Sequence, residues 1–338
     1  MWAIINTTKY AAERTWVQDK DANKIWLVVV KATYDIHPDG SCALAKEQVA
    51  PLRMPEPSGE AGKSGLRYEG DLQGLKPGTD VLVRGSAWAP PGRLATEVGV
   101  GISVGPLNKR LKVFGDRRWD KVAGTLMSTS PEAFESMPIV YERAFGGWDK
   151  TPSDPAEHRL DSRNPVGTGF AVRAENCAGN FLPNVEYPDQ LIGSWRDQPQ
   201  PAGLNAIECH WSPRREWAGT YDEAWREKRF PLWAEDFDSR YHNCAPADQQ
   251  VAGFLRGGEV VELQNLSPTG RMTFNLPRVY PFFETRIGPE RIEHRAQLCT
   301  VILEPDASRL MMVWQTSLLC NHRVDDLDLT IVSEKRVI

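Results

Sequence analysis

The sequence predicts a mainly β protein: an antiparallel β sandwich or two packed sheets, with a long irregular insertion carrying short helices. Three observations predict it. Apolar stretches of strand length recur toward both ends of the chain, Pro/Gly/Asp clusters separate them in pairs, and positions 131–256 are dense in Pro, Gly, Asn and Trp with little strand periodicity. At 338 residues, 41% of them hydrophobic, the chain can bury a large core. We expect one compact β-rich domain over 1–338, with 131–256 as a loop-rich insertion over the β core.

Four turn signals place the strands as hairpins. Pro38-Asp39-Gly40 separates 25–36 from 42–49, and Pro90-Pro91-Gly92 separates 80–88 from 94–104. Pro268-Thr269-Gly270 separates 260–266 from 272–276, and Pro305-Asp306 separates 298–303 from 310–314. Val81, Val83, Gly85 and Ala87 put apolar or small residues on one face against Arg84 and Ser86, the period of a half-buried strand. Within the insertion, Thr220-Tyr221-Asp222-Glu223 reads as a capping box, with Asp222 placed to pair with Arg226 and Pro231 as the stop. A second helix is expected after Pro246, with Val251, Phe254 and Leu255 as its apolar stripe and Gly257-Gly258 as its end.

A net charge of −5, with basic residues scattered, argues against nucleic acid or an anionic membrane as the main partner. The start lacks the basic and apolar regions of a secretory signal, and no apolar run reaches the length of a membrane-spanning helix, so a cytoplasmic location is expected. Six cysteines without a CxxC pair suggest reduced thiols. Twelve tryptophans, an unusual number, point toward a large amphipathic surface, in the core or at an interface.

Catalytic signals are incomplete. Gly101-Ile102-Ser103-Val104-Gly105 matches a nucleophile elbow in letters, yet it sits in a strand-like run with no helix after it. Gly59 to Ser64 lacks the first glycine of a phosphate loop, and Cys209-His210 with His242-Asn243-Cys244 lacks zinc-ligand spacing. Asp236-Phe237-Asp238 is the more substantial pattern, because paired carboxylates among aromatic residues suit a hydrolase. The bland alternative is that both accept backbone N–H groups in a turn. We expect no enzyme, no metal and no cofactor. The alternative function is a carbohydrate-active or metal-assisted hydrolase using Asp236, Asp238 and Glu186.

The middle of the chain carries a series of uncommon blocks in fixed order. They are Gly115-Asp116-Arg117-Arg118-Trp119, Tyr141-Glu142-Arg143-Ala144-Phe145-Gly146-Gly147, Asn164-Pro165-Val166-Gly167-Thr168-Gly169-Phe170, Leu182-Pro183-Asn184-Val185-Glu186, Gly219 to Trp225, Pro231-Leu232-Trp233 leading to Asp236-Phe237-Asp238, and Ala245 to Gln250. Together with Lys76 to Val81 and Gly85 to Pro90, these resemble a bacterial family associated with type VI secretion, formerly catalogued as a domain of unknown function and encoded beside PAAR, VgrG and effector genes. Ala234 departs from that pattern, where proline would be expected. The resemblance implies an adaptor or chaperone that stabilises an effector and helps load it onto the spike, with the effector, a PAAR-domain protein and, at one remove, VgrG as partners. A structural part of the secretion machine is a third reading.

Two physical readings of the blocks stay open. Glu142, Arg143, Glu186, Asp222, Asp236 and Asp238 form a structural polar network that fixes the insertion, since charges among aromatic side chains persist when paired. Trp119, Trp148, Trp195, Trp217, Tyr221, Trp225 and Trp233 are the candidate partner-binding anchors, being of the residue types that dominate interfaces.

Overall fold

The run Ile25-Trp26-Leu27-Val28-Val29-Val30 is apolar at every position rather than every second one, as befits a strand covered on both faces. In the computed structural model, which describes residues 2–335, this run lies inside the Lys24–Ile36 strand, an interior member of a seven-stranded sheet. Ala11–Gln18 pairs on one side, with Trp16 opposite Trp26, and Arg309–Leu319 on the other, with Trp314 opposite Val30. Gln297–Glu304, Gly78–Val83 and the edge strand Gln250–Ala252 follow in that order, while Cys42–Leu44 pairs with the end of Lys24–Ile36. Only the contact between Gly78–Val83 and Gln297–Glu304 is parallel.

Two further sheets complete the core. Glu97–Val104 and Leu107–Phe114 alternate buried and exposed positions, and they join Val260–Gln264, Arg271–Asn275 and Val185–Glu186 in a five-stranded sheet. Ala3–Asn6, Leu327–Glu334, Pro281–Ile287 and Glu290–Arg295 make a four-stranded one. All three contribute to one apolar cluster, which includes Trp26, Val81, Val100, Leu263, Phe283 and Val332. Each such side chain contributes about 1.5–3 kcal/mol through burial. The mainly β class is as the sequence predicts, with three sheets about the core in place of two.

Three of the four hairpins form as predicted. The turn at Pro90-Pro91-Gly92 does not join a hairpin: Gly78–Val83 belongs to the seven-stranded sheet, Ser86–Trp88 pairs with Ser136–Pro138, and Glu97–Val104 belongs to the five-stranded sheet. The half-buried reading of 81–87 holds in part: Val81, Val83 and Ala87 are buried in the main core and Arg84 and Ser86 are partly exposed, but the strand ends at Val83. Leu82 is as buried as Val81 and Val83, because the strand lies between two neighbours and is covered on both faces.

Stretch 131–256 is irregular; parts of it, 204–214 and 241–245, lie over the seven-stranded sheet, and other parts are threaded into the sheets. Ser136–Pro138, Val185–Glu186 and Gln250–Ala252 are strands in three different sheets, and Ile139 and Leu204 enter the main core. The first predicted helix is present as Glu223–Lys228, but its cap is Asp222, whose carboxylate accepts from Trp225 N at 2.9 Å. Thr220 is elsewhere engaged, and Arg226 pairs with Glu223 rather than Asp222. The second predicted helix is a single turn, Ala247–Gln249, that leads into Gln250–Ala252, so Val251 packs as a strand residue opposite Thr79. The helix Arg214–Trp217 was not foreseen.

The seven-stranded sheet has a second face, away from the main core. It carries Lys31, Asp80, Thr300, Glu304 and Gln315, all buried, among small apolar clusters such as that of Leu82, Ile302 and Met311. Segments 49–76, 204–214 and 241–245 supply the groups that meet it. Lys31 Nζ is 2.9 Å from Asp71, and Lys76 Nζ is 2.6 Å from Asp80 and 2.9 Å from Thr300 Oγ1. Asp80 also accepts from Asn243 Nδ2 at 2.8 Å and from Cys244 N at 2.9 Å. Arg214 pairs with Glu69 at 2.6 Å, and Glu304 binds Tyr68, Arg84 and Arg309.

Candidate functional site

The loop after Trp217 turns back on itself to present a row of rings. Gly219 makes this possible: at φ +89° a Cβ there would stand 2.7 Å from both Ala234 Cβ and Asp236 Oδ1. Asp236 then accepts from Thr220 N and Thr220 Oγ1, both at 2.8 Å, which closes the loop. Asp238 N donates to Trp217 O, and the Asp238 carboxylate accepts from the Arg240 backbone and guanidinium. On this frame the Glu223–Lys228 helix holds Trp225 by a 2.8 Å bond from its indole N–H to Leu232 O.

Trp225 stands edge-on between Tyr221, at 4.8 Å, and Phe230, at 5.7 Å. Tyr221 is 46% exposed and Phe230 67%. A cavity of about 410 Å³ lies beside Trp225, bordered by Lys228, Arg229 and Glu235. A second group of rings, Trp233, Phe237 and Tyr241, packs at 4.6 to 6.1 Å and braces the loop.

The predicted anchors therefore divide. Trp217, Tyr221, Trp225 and Trp233 come together, although the three tryptophans are half-buried supports and Tyr221 is the exposed member. Trp148 is half exposed on a different two-residue strand, with Lys150 over its ring. Trp195 packs against the small cluster of Ala171, Cys177 and Leu182, and Trp119 is a buried member of that cluster, so it offers no face to a partner. Phe230 was missed, because an aromatic residue directly before a proline gives no periodic signal.

The predicted polar network is a set of separate clamps. Glu142 accepts from Gly65 N, Arg143 binds Asp116 and Asn184, and Glu186 takes Arg117 and Ile192 N. Asp222 caps its helix, while Asp236 and Asp238 serve the loop. Hydrogen bonding to Thr220 holds the Asp236 carboxyl below its usual range, and Arg240 does the same for Asp238. The three carboxylates proposed for hydrolysis thus bond to three different sets of partners. Of these clamps only the Glu186–Arg117 pair is deeply buried; the other deeply buried networks, around Asp80, Asp71 and Glu69, are ones the sequence did not single out.

The remaining chemical signals resolve into structure. Ser103 lies inside the Glu97–Val104 strand opposite Asn108 and Glu262, with no following helix. Burial lowers His242 to about 4, aided by Arg214 and Lys76, and burial pushes the Cys244 thiol up, so both are neutral at pH 7. Among the described residues no three His, Cys, Asp or Glu side chains converge as a metal-ligand set, and no helix is long and apolar enough to cross a membrane.

A family model described as an uncharacterized protein conserved in bacteria (DUF2169) matches residues 21–315. The chain belongs to that family. The match takes in the Lys24–Ile36 strand, the whole of 131–256 and most of Arg309–Leu319, and leaves the Ala11–Gln18 strand outside it. No curated protein and no solved structure matches the chain.

Proposed function

We propose that the chain is a non-catalytic adaptor of type VI secretion, which binds an effector in the cytoplasm, stabilises it and hands it to a PAAR-domain protein and so to VgrG. The observation that carries this reading is the Tyr221, Trp225 and Phe230 row. Two of its rings are exposed while the third is fixed by a hydrogen bond, which is a surface with anchors already ordered. The ordered blocks of the sequence and the family membership support it.

The test uses the effector encoded beside this gene. Tyr221→Ala with Phe230→Ala should weaken its binding, measured by calorimetry, by about 2 kcal/mol or more, since truncated anchors dominate binding energy. The melting temperature should stay at the wild-type value. Normal affinity in that folded variant would remove the aromatic row as the docking surface. In a deletion strain, export of this one effector should stop while others continue; loss of all export would instead point to a part of the machine itself.

A further inference from the structure

A cleft of about 1060 Å³ is lined by residues of two different sheets. On one side is the chain around Gln250–Ala252, the edge of the seven-stranded sheet, and on the other are the start of the interior strand Pro281–Ile287 and the end of Glu290–Arg295, the edge strand of the four-stranded sheet. Leu255, Leu298 and Trp314 are buried at its floor. Phe254 and Phe282 are half-buried in its walls and Tyr280 is 41% exposed.

Its charge is one-sided. The protein has 45 acidic and 40 basic residues, yet the charged residues lining this cleft are Arg256, Arg295 and Lys335, all positive. Among the described residues no carboxylate pairs with the guanidinium of Arg256 or Arg295; Glu259, outside the lining, accepts from Arg256 N at 2.8 Å. Lys335 reaches Glu293 only at 3.8 Å and rests 3.5 Å from the centre of the Phe282 ring. Cations held at an aromatic wall without strong partners are prepared for an incoming anion.

Shape narrows the ligand. The cleft is at the upper end of the sizes that hold compact small molecules, and it is bordered by sheet edges with one neighbour each. Gly253, at φ +74° with no atom within 4 Å of where a Cβ would stand, leaves the backbone approachable there. Three cations are few for a nucleic-acid strand, and a concave site between sheets does not fit a flat bilayer.

We propose that this cleft binds an extended acidic segment of a partner protein, its carboxylates meeting Arg256, Arg295 and Lys335 and its intervening apolar side chains packing on Phe254, Tyr280 and Phe282. The main chain of the segment lies along the Gln250–Ala252 edge, in the manner of strand addition. The cleft is separate from the aromatic row and does not depend on it, so an adaptor built this way has two sites for two components.

The experiment uses the full chain and fluorescein-labelled eight-residue peptides of alternating Glu and Phe, Gln and Phe, or Lys and Phe, followed by anisotropy at low and physiological salt. The Glu peptide should bind at least tenfold more tightly than the Gln peptide, and the Lys peptide should not bind. Arg256→Glu with Arg295→Glu should weaken the Glu peptide at least tenfold. The charge-matched control, Arg93→Glu with Arg110→Glu at exposed positions outside the cleft, should leave binding unchanged, as should Tyr221→Ala. Each variant is checked by its melting temperature. Absence of binding, equal affinity for the Gln peptide, undiminished affinity in the folded cleft variant, or equal competition by an eight-nucleotide oligo-dT would each overturn the proposal.

Discussion

The two faces of the seven-stranded sheet are built on opposite principles. Val28, Val30, Val81, Leu303 and Met312 look toward other sheets and are almost wholly apolar. Lys31, Asp80, Thr300, Glu304 and Gln315 look the other way, equally buried and mostly charged or polar. The difference lies in what covers each face. A sheet arrives with its peptide groups already paired, whereas irregular chain arrives with unpaired N–H and C=O groups that must find partners. On the second face the sheet's polar side chains, their ion-pair mates and the covering chain's own Arg214 supply them: Asp71 accepts from Leu52 N, Asp80 from Cys244 N, Gln315 donates to Asp71 O, and Arg214 donates to Ile207 O and Tyr241 O.

The strongest test of this contrast removes one charge. Asp71→Ala should cost about 3–5 kcal/mol, because Lys31 is left buried without its counter-ion, and Lys31→Met added to it should recover much of the loss. Met312→Ala on the apolar face should cost about 2–5 kcal/mol, with no second substitution that restores it by charge removal. Urea unfolding of the four proteins decides between the principles. Equal behaviour on both faces would show that the buried ions are incidental.

A smaller effect separates the loop's own devices. Asp222→Ala should lower stability by about 1 kcal/mol through the lost cap. Thr220→Ala should act through the Asp236 clamp instead, so its thermal effect should shrink as acid protonates Asp236, and at neutral pH amide exchange at Trp225 should quicken in Asp222→Ala but not in Thr220→Ala.

The smallest expected effect is a pH dependence at the rim of the charged layer. Burial, then the neighbouring Glu69, raises Glu208 to about 7, with Arg214 opposing and His210 at 3.7 Å. A raised carboxyl binds its proton more tightly in the folded state, so its contribution to stability is complete below about pH 4.5 and is lost as pH rises through about 7. Melts of wild type and Glu208→Gln from pH 5 to 8 should therefore diverge, the wild type losing more stability as pH increases. Parallel curves would show that Glu208 titrates as it does in the unfolded chain.

The apolar face was legible because periodicity and turn chemistry agree there. Gly40 and Gly270 both take φ +81° at the tips of the hairpins their sequences announce. Gly92 also turns, at φ +73°, but a turn residue does not say which strands it joins, and the chain uses it to change sheets. The charged face was illegible for a related reason. Lys31 inside an apolar run signals a buried ion, yet its mate Asp71 lies 40 positions away in a loop, where no spacing rule reaches. At the candidate site, aromatic abundance was visible from the start, but which rings face outward depends on Gly219 and on the Leu232 carbonyl that fixes Trp225. The capping-box spacing pointed to Thr220 as the cap, but Asp236, 16 positions on, engages Thr220, and Asp222 caps the helix instead.

Arg309–Leu319 sits between Lys24–Ile36 and Gln297–Glu304, joining strands from opposite ends of the chain. As the chain emerges from the ribosome, Lys24–Ile36 can find Ala11–Gln18 early, but its other edge must wait for nearly three hundred residues to be made. During that wait a long, apolar strand edge is open to any other extended chain. A fold whose central strand arrives this late leaves that edge open to mispairing for most of its synthesis, and of the charges on the second face only Lys31 is already carried by the waiting strand.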